Sequence, residues 1–203
     1  MTSSPDTHRR RSIRLRNYDY SKCGAYYVTV CCASRECLLG RVADGRMHKS
    51  AAGEVVEACW NEIPAHFARV QLDDFVVMPN HAHGIIILGE GRRGVACYAP
   101  TRKGLAGPRP GSLGAVVRSF KSAATRRIAK TRGGRRESVW QPNYYEHVMR
   151  NESDLNRIRQ YIRNNPRRWH LDRENRHRVG EDEFDLWLAS FRHRPGQEAT
   201  HGA

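Results

Sequence analysis

Two histidines one residue apart, His81-Ala82-His83 in the run MPNHAHGIIIL, carry the sharpest chemical signal in the chain. On a β-strand, residues i and i+2 project to the same face. The two imidazoles then stand side by side, as ligation of one metal ion requires, and Ala82 points back into the core. The apolar run that follows would be a rigid strand able to hold them. The plainer reading of a bare His-x-His is two polar histidines at a strand start, and the helical zinc pattern His-Glu-x-x-His is absent. A second constellation is Tyr161 with Asn165 in QYIRNNP. Four residues apart on a helix, they share a face. A phenol can form a covalent intermediate with phosphate, and an amide oxygen suits a hard cation. Tyr161 also suits core packing beside Ile158 and Ile162, with Asn165 capping the helix before Pro166. Glu146 and His147, in YYEHVM, are a polar pair in an apolar strand. They fit either hydrogen-bond partners standing behind a metal ligand or a structural hydrogen bond.

A third group is basic. Arg118, Lys121, Arg126, Arg127 and Lys130 lie on one helical segment, and Arg135 and Arg136 on the turn after it. Trp140, Tyr144 and Tyr145 follow. Cations interleaved with aromatic rings can track a single nucleic-acid strand and stack its bases; a solvated helix face is the plainer alternative. The whole chain leans the same way. Its 203 residues hold 35 Lys+Arg against 21 Asp+Glu, a formal charge of +14. Lys22, Lys49, Lys103, Lys121 and Lys130 are the only lysines. The remaining cations are arginines, which grip phosphate through a planar, bidentate fork. A polyanionic partner is expected, nucleic acid first. No P-loop or Rossmann glycine run is present, so no nucleotide cofactor is expected. No apolar run nears the ~20 residues of a membrane helix, and the start MTSSPDTHRRRS lacks the apolar segment of a secretory signal. A cytoplasmic protein with no membrane partner is expected. The 6 cysteines include no C-x-x-C pair and suit reduced thiols.

The elements that must position these groups follow from pattern. Tyr26–Cys32 is β-branched and aromatic, a strand. Ala52, Val55, Val56, Cys59, Trp60 and Ile63 recur at helical spacing, giving a helix over Ser50–Ile63 that is capped by Ser50 and ended by Pro64. Val70–Met78 and Ala82–Leu88 are strands joined at Pro79–Asn80. Residues 90–111 are rich in Gly, Pro and Arg and suit a long flexible loop. Ser112–Thr131 is a helix, Val139–Met149 is extended, and Asn151–Asn164 is a helix stopped by Pro166. That order predicts an α+β fold: a small antiparallel sheet of ferredoxin-like or RNA-recognition type, with helices on one face and basic flexible tails. The expected division is a basic arm over 1–17, one catalytic domain over 18–170, and a charged tail over 171–203 with one apolar patch at Phe184, Leu186, Trp187 and Leu188.

Three runs in order, MPNHAHGII, GSLGAVVRSFKSAATRRI and VWQPNYYEHVMRNESDLNRIRQYIRNNPRRW, resemble the REP-associated tyrosine transposases. These are single-tyrosine insertion-sequence transposases within the HUH single-strand endonucleases. The resemblance runs from about Tyr26 to Trp169. It implies a ferredoxin-like sheet carrying the two histidines and a helix carrying the tyrosine. His81, His83 and Asn165 would hold Mg²⁺ or Mn²⁺, Ala82 would stand at the apolar position between the histidines, and Tyr161 would be the nucleophile. Loop 90–111 is longer than the family's usual connection. The implied reaction is metal-dependent cleavage and rejoining of single-stranded, REP-type hairpin DNA through a 5′-phosphotyrosine, by a monomer or homodimer. The link conserves the bond energy, so again no nucleotide cofactor is needed. Two other functions fit the same residues. One is a non-cleaving nucleic-acid-binding regulator of the same fold. The other is a metal-dependent phosphohydrolase that activates water, with Tyr161 structural. DNA covalently attached to the protein separates the first from both.

Overall fold

The computed structural model describes residues 18–90, 108–134 and 137–191. The expected basic arm, most of loop 90–111, Arg135, Arg136 and residues 192–203 lie outside the described residues. The fold is α+β around a four-stranded sheet. Strands β1 (Gly24–Cys31), β4 (Val70–Met78), β5 (His81–Leu88) and β6 (Tyr145–Met149) lie in the order β4-β5-β1-β6, every neighbour antiparallel. Pro79 and Asn80 form the two-residue turn that brings Met78 opposite His81. Two further strands, β2 (Gly40–Ala43) and β3 (Arg46–Lys49), form a separate hairpin. It turns at Asp44 and Gly45, both at positive φ (51° and 68°).

Strand alternation splits β5 between two cores. Ala82 and Ile86 face helices α1 (Ala51–Asn61) and α3 (Leu113–Thr131), packing with Val28, Val30, Trp60, Val117 and Phe120. Ile85 faces the other way with Tyr27, against Ile158, Tyr161 and Ile162 of helix α4 (Glu152–Asn164) and Phe184 and Leu188 of helix α5 (Glu183–Ser190). His81 and His83 share the parity of Ile85, so they belong to this second face. Helices therefore cover both faces, where the sequence leads one to expect them on one.

Gly84 belongs to the first face, and its missing side chain has a use. A Cβ there would lie 2.3 Å from Trp60 Cζ2 and 2.9 Å from Phe75 Cδ2. Trp60 itself stacks on Phe75 with ring centroids 4.5 Å apart. Gly84→Ala is therefore expected to lower stability by about 1–3 kcal/mol, the range for forcing an extra carbon into a filled core. Urea unfolding checks this; a midpoint equal to that of the unsubstituted chain would contradict it.

The helix starts follow their caps. Ser50 Oγ accepts the Gly53 N–H at 3.2 Å, Ser112 Oγ accepts that of Ala115 at 3.4 Å, and Asn151 Oδ1 accepts that of Asp154 at 2.8 Å. Glu152 and Asp154 suit the positive end of α4. Pro64 does not simply end a helix. α1 stops at Asn61, and Pro64 sits in the first turn of the short helix α2 (Ile63–His66), where its missing N–H is no loss. After α4 the chain tightens into a 3-10 segment, Asn165–Leu171.

The tail expected from residue 171 is folded as far as Phe191. Asp182 Oδ1 accepts the Phe184 N–H at 2.8 Å to start α5, which buries Phe184 and Leu188. The charges that make this stretch look like a tail are themselves engaged: Arg168 pairs with Asp182 at 3.1 Å and Arg35 with Glu174 at 3.5 Å. Among the described residues, no helix is long and apolar enough to cross a membrane.

Candidate active site

His81 and His83, at the start of β5, are buried (0% and 2% exposed), and their Nε2 atoms face each other at 2.8 Å. The groups behind them set which nitrogens carry protons. Asn80 Nδ2 donates to Glu174 O at 2.8 Å and to Arg35 O at 3.3 Å. Its Oδ1 is thereby left to accept from His81 Nδ1 at 2.8 Å. His81 then carries its proton on Nδ1 and presents a bare lone pair at Nε2. Burial pushes the His81 imidazole down to about 4, so the ring is neutral near pH 7. Facing that lone pair, His83 Nε2 carries the proton of the 2.8 Å contact. His83 Nδ1 lies 2.8 Å from Tyr27 OH and 2.9 Å from Thr29 Oγ1. Hydroxyls can donate or accept, so the His83 proton can move to Nδ1 and free a second lone pair at Nε2.

Further polar groups converge from the second face. Asp172 Oδ2 lies 3.5 Å from His81 Nε2 and 3.8 Å from His83 Nε2. It accepts from Asn165 Nδ2 at 3.1 Å and lies 3.5 Å from the Tyr161 hydroxyl. Asp172 Oδ1 accepts the Glu174 N–H at 2.7 Å. Burial works against the Asp172 charge, but the two histidines and that N–H outweigh it and hold the carboxyl well below its usual range. At neutral pH the cluster sets the Asp172 carboxylate against the neutral His81 ring. Burial raises the Tyr161 phenol well above its ordinary value. Its ring stacks on Phe184 at 3.7 Å and meets the His83 ring at 5.4 Å.

The four residues singled out as nucleophile and ligands are thus brought together, and Asp172 joins them. His81, His83 and Asp172 present donor atoms all within 4.8 Å of one another. Asn165 Oδ1 is buried and has no hydrogen-bond partner among the described residues. Two imidazole nitrogens, a carboxylate and an orphaned amide oxygen fit a hard or borderline divalent cation. Sequence pattern alone does not single out Asp172, Tyr27, Thr29 or Asn80. Tyr27 and Thr29 share a strand face, a signal that becomes informative only once β1 is paired with β5.

Glu146 and His147 do not stand behind the histidines. Glu146 shares its strand parity with Val148, on the α1–α3 side. His147 packs with Phe191 at 4.7 Å and Trp187 at 6.0 Å. Burial pushes the His147 imidazole down to about 4. The unfolded chain would bind that proton near pH 6.5, where the folded chain does not, so the stabilising effect is full above about 6.5 and is lost as pH falls toward 4. His81 acts in the same sense. Stability is expected to fall by up to about 1.4 kcal/mol per pH unit per histidine across that window, and His147→Phe to flatten the slope by about one proton. Urea midpoints at pH 7 and pH 5 check this; an equal slope in the variant would contradict it.

The basic residues divide. Arg118, Arg126 and Lys130 project from α3, while Arg127 pairs with Glu62 at 2.8 and 2.5 Å. Lys121 turns inward and donates to Gln141 O at 2.7 Å and Asn143 O at 2.8 Å, so it ties α3 to the segment before β6. α3 packs on the sheet face opposite His81, His83 and Tyr161. Arg135 and Arg136 lie outside the described residues.

Comparison with known proteins adds two relations. An uncharacterized protein of Haemophilus influenzae is 41% identical over 169 residues, covering 81% of this chain and 92% of that one. The chain belongs to the same family as that protein. No family model matches. The solved structure of a REP-associated tyrosine transposase bound to a REP hairpin superposes with a TM-score of 0.51 at 22% identity, over 75% of this chain and 72% of that one. The two share a fold, and the family shared with the Haemophilus protein is placed on that fold.

Proposed function

We propose that the chain is a tyrosine transposase of the REP-associated type, which cuts and rejoins single-stranded hairpin DNA through a covalent 5′-phosphotyrosine. The observation that carries this reading is convergence: the Tyr161 hydroxyl, two imidazole Nε2 atoms and the Asn165 amide surround one carboxylate oxygen of Asp172. In such a site the Tyr161 oxygen attacks phosphorus, an O–P bond forms, and the bond from phosphorus to the 3′-oxygen breaks. The phenol proton balances the new 3′-hydroxyl. That hydroxyl, or another strand's, reverses the step and rejoins DNA.

His81, His83 and Asp172 would hold Mg²⁺ or Mn²⁺, with Asn165 Oδ1 a fourth donor. When bound, the ion supplies charge that polarises the scissile phosphate and favours the phenolate. The chain's own groups orient the rest. Asn80, Tyr27 and Thr29 fix the rings, and Phe184 holds the Tyr161 ring by stacking. Tyr161 is only 6% exposed and Asp172 2%, so a phosphodiester reaches the hydroxyl only when the groups covering it move.

The test is incubation of 3′-end-labelled single-stranded hairpin DNA with the full chain and Mn²⁺, followed by a denaturing gel. A slow, protease-sensitive band is expected. Cleavage with no protein-bound label would instead favour a water-activating phosphohydrolase, and binding without cleavage a regulator.

A further inference from the structure

The outward cations of α3 stand over the sheet face opposite Tyr161. A second cationic surface stands at the site's own end of the sheet. The β2–β3 hairpin is tied at its base to the turn before His81: Leu39 N–H donates to Pro79 O at 2.9 Å, and Ser50 N–H donates to Leu39 O at 2.9 Å. At its tip Gly45 packs on Arg167, two residues past Asn165; a Cβ at Gly45 would lie 3.2 Å from Arg167 Cγ. The hairpin therefore reaches from the turn that orients His81 to the segment that carries Asn165.

Its two faces differ. Register sets Gly40 opposite Lys49 and Val42 opposite Met47; these residues are half-buried, and Met47 packs on the α1–α3 core. Register also sets Arg41 opposite His48 and Ala43 opposite Arg46. Arg41, Arg46 and His48 are all exposed, and exposed Arg167 adjoins the tip. Arg41 and Arg46 are diagonal neighbours across the ribbon, about 7–8 Å apart at the backbone. Among the described residues, no acid forms an ion pair with Arg41, Arg46 or Arg167. Asp44, at the turn, is the one acid of the hairpin. A solvated surface intersperses both signs; a row of one sign is the footprint of a polyanion.

We propose that the outward face of the β2–β3 hairpin, formed by Arg41, Arg46 and His48 with Arg167 beside its tip, guides the phosphate backbone of single-stranded DNA toward Tyr161. The guanidinium groups hold successive phosphates, while the inward face keeps the ribbon fixed to the body. This rests on reading the protein as a single-strand DNA enzyme. Its test needs neither metal nor cleavage, so the two can fail separately.

The probe is fluorescein-labelled oligothymidine, with anisotropy measured against the full chain over a range of salt. Arg41→Gln combined with Arg46→Gln is expected to weaken binding about tenfold at low salt. It should also make the slope of log affinity against log salt shallower by about 1.4, at about 0.7 for each phosphate no longer neutralised. Both residues point outward, so the thermal midpoint should stay unchanged. Tyr161→Phe should bind like the unsubstituted chain. A double variant with unchanged affinity and slope would overturn the guide. So would failure of the unsubstituted chain to bind oligothymidine, or a weakening seen only with an RNA oligonucleotide. If instead Arg118→Gln with Lys130→Gln removes the slope and the hairpin variant does not, the strand runs along α3 and the proposal falls.

Discussion

Tyr161→Phe is expected to abolish cleavage and adduct formation, a loss on the order of 10⁴-fold or more, as for removal of a covalent nucleophile. It should leave folding, metal binding and hairpin binding intact. The variant keeps the ring that stacks on Phe184 at 3.7 Å and removes only a hydroxyl whose contact with Asp172 is long, at 3.5 Å. Stability should therefore change little, and the loss should be chemical. No other described tyrosine is placed to substitute. Tyr144 packs with the α1–α3 core, on the wrong face of the sheet. Tyr145 is on the right face, but its ring lies under the Arg173 guanidinium at 4.7 Å. Tyr27 is nearer, yet its hydroxyl is spent on His83 Nδ1, behind the ring that presents Nε2 to the site. Cleavage retained by Tyr161→Phe above about 1% of the original rate, some 2.7 kcal/mol of barrier, would remove Tyr161 from the mechanism.

The second large effect concerns His83. His83→Ala removes one of two facing imidazoles and is expected to weaken Mn²⁺ binding by more than the roughly 10–100-fold that loss of a ligand's outer hydrogen-bond partner causes. Cleavage should fall with it. Hairpin DNA affinity should stay within about threefold, because phosphate contacts elsewhere dominate it. Titration calorimetry with Mn²⁺ reads the first effect and anisotropy the second. Tyr27→Phe with Thr29→Val is a milder companion. It strips the hydroxyls behind His83 Nδ1 and should reduce Mn²⁺ affinity about tenfold. Full Mn²⁺ affinity in His83→Ala would take that residue out of the ligand set.

How far the site is legible in the sequence depends on how local each relation is. His81 and His83 are two apart on a strand, and Tyr161 and Asn165 four apart on a helix, so backbone periodicity alone puts each pair on one face. That the two pairs meet is a tertiary fact. It follows from β5 and α4 packing through Ile85, Ile158 and Ile162. Asp172 has no such signature. It sits past a 3-10 segment with no fixed period toward the site, in a stretch whose charges read as a solvated tail. Lys121 departs from its expected outward place for a nearer reason. It follows Phe120 and lies four residues past Val117, at the edge of the buried stripe of α3, so it reaches inward to two carbonyls where Arg118 faces solvent. The β2–β3 hairpin escapes pattern reading although Asp44-Gly45 is a strong turn signal, because its strands are four residues each and only half-buried. The order of the four-stranded sheet also lies beyond pattern, since alternation fixes which face a residue takes but not which strand is its neighbour.

The most direct measurement is peptide mass spectrometry of the protein–DNA adduct, trapped with labelled hairpin DNA and Mn²⁺ and digested with protease and nuclease. The expected result is a nucleotide mass on the peptide containing Tyr161, and on no other tyrosine. An adduct on Tyr27, Tyr144 or Tyr145 would contradict the assignment of the nucleophile. Cleaved DNA with no modified peptide at all would contradict the covalent reaction itself.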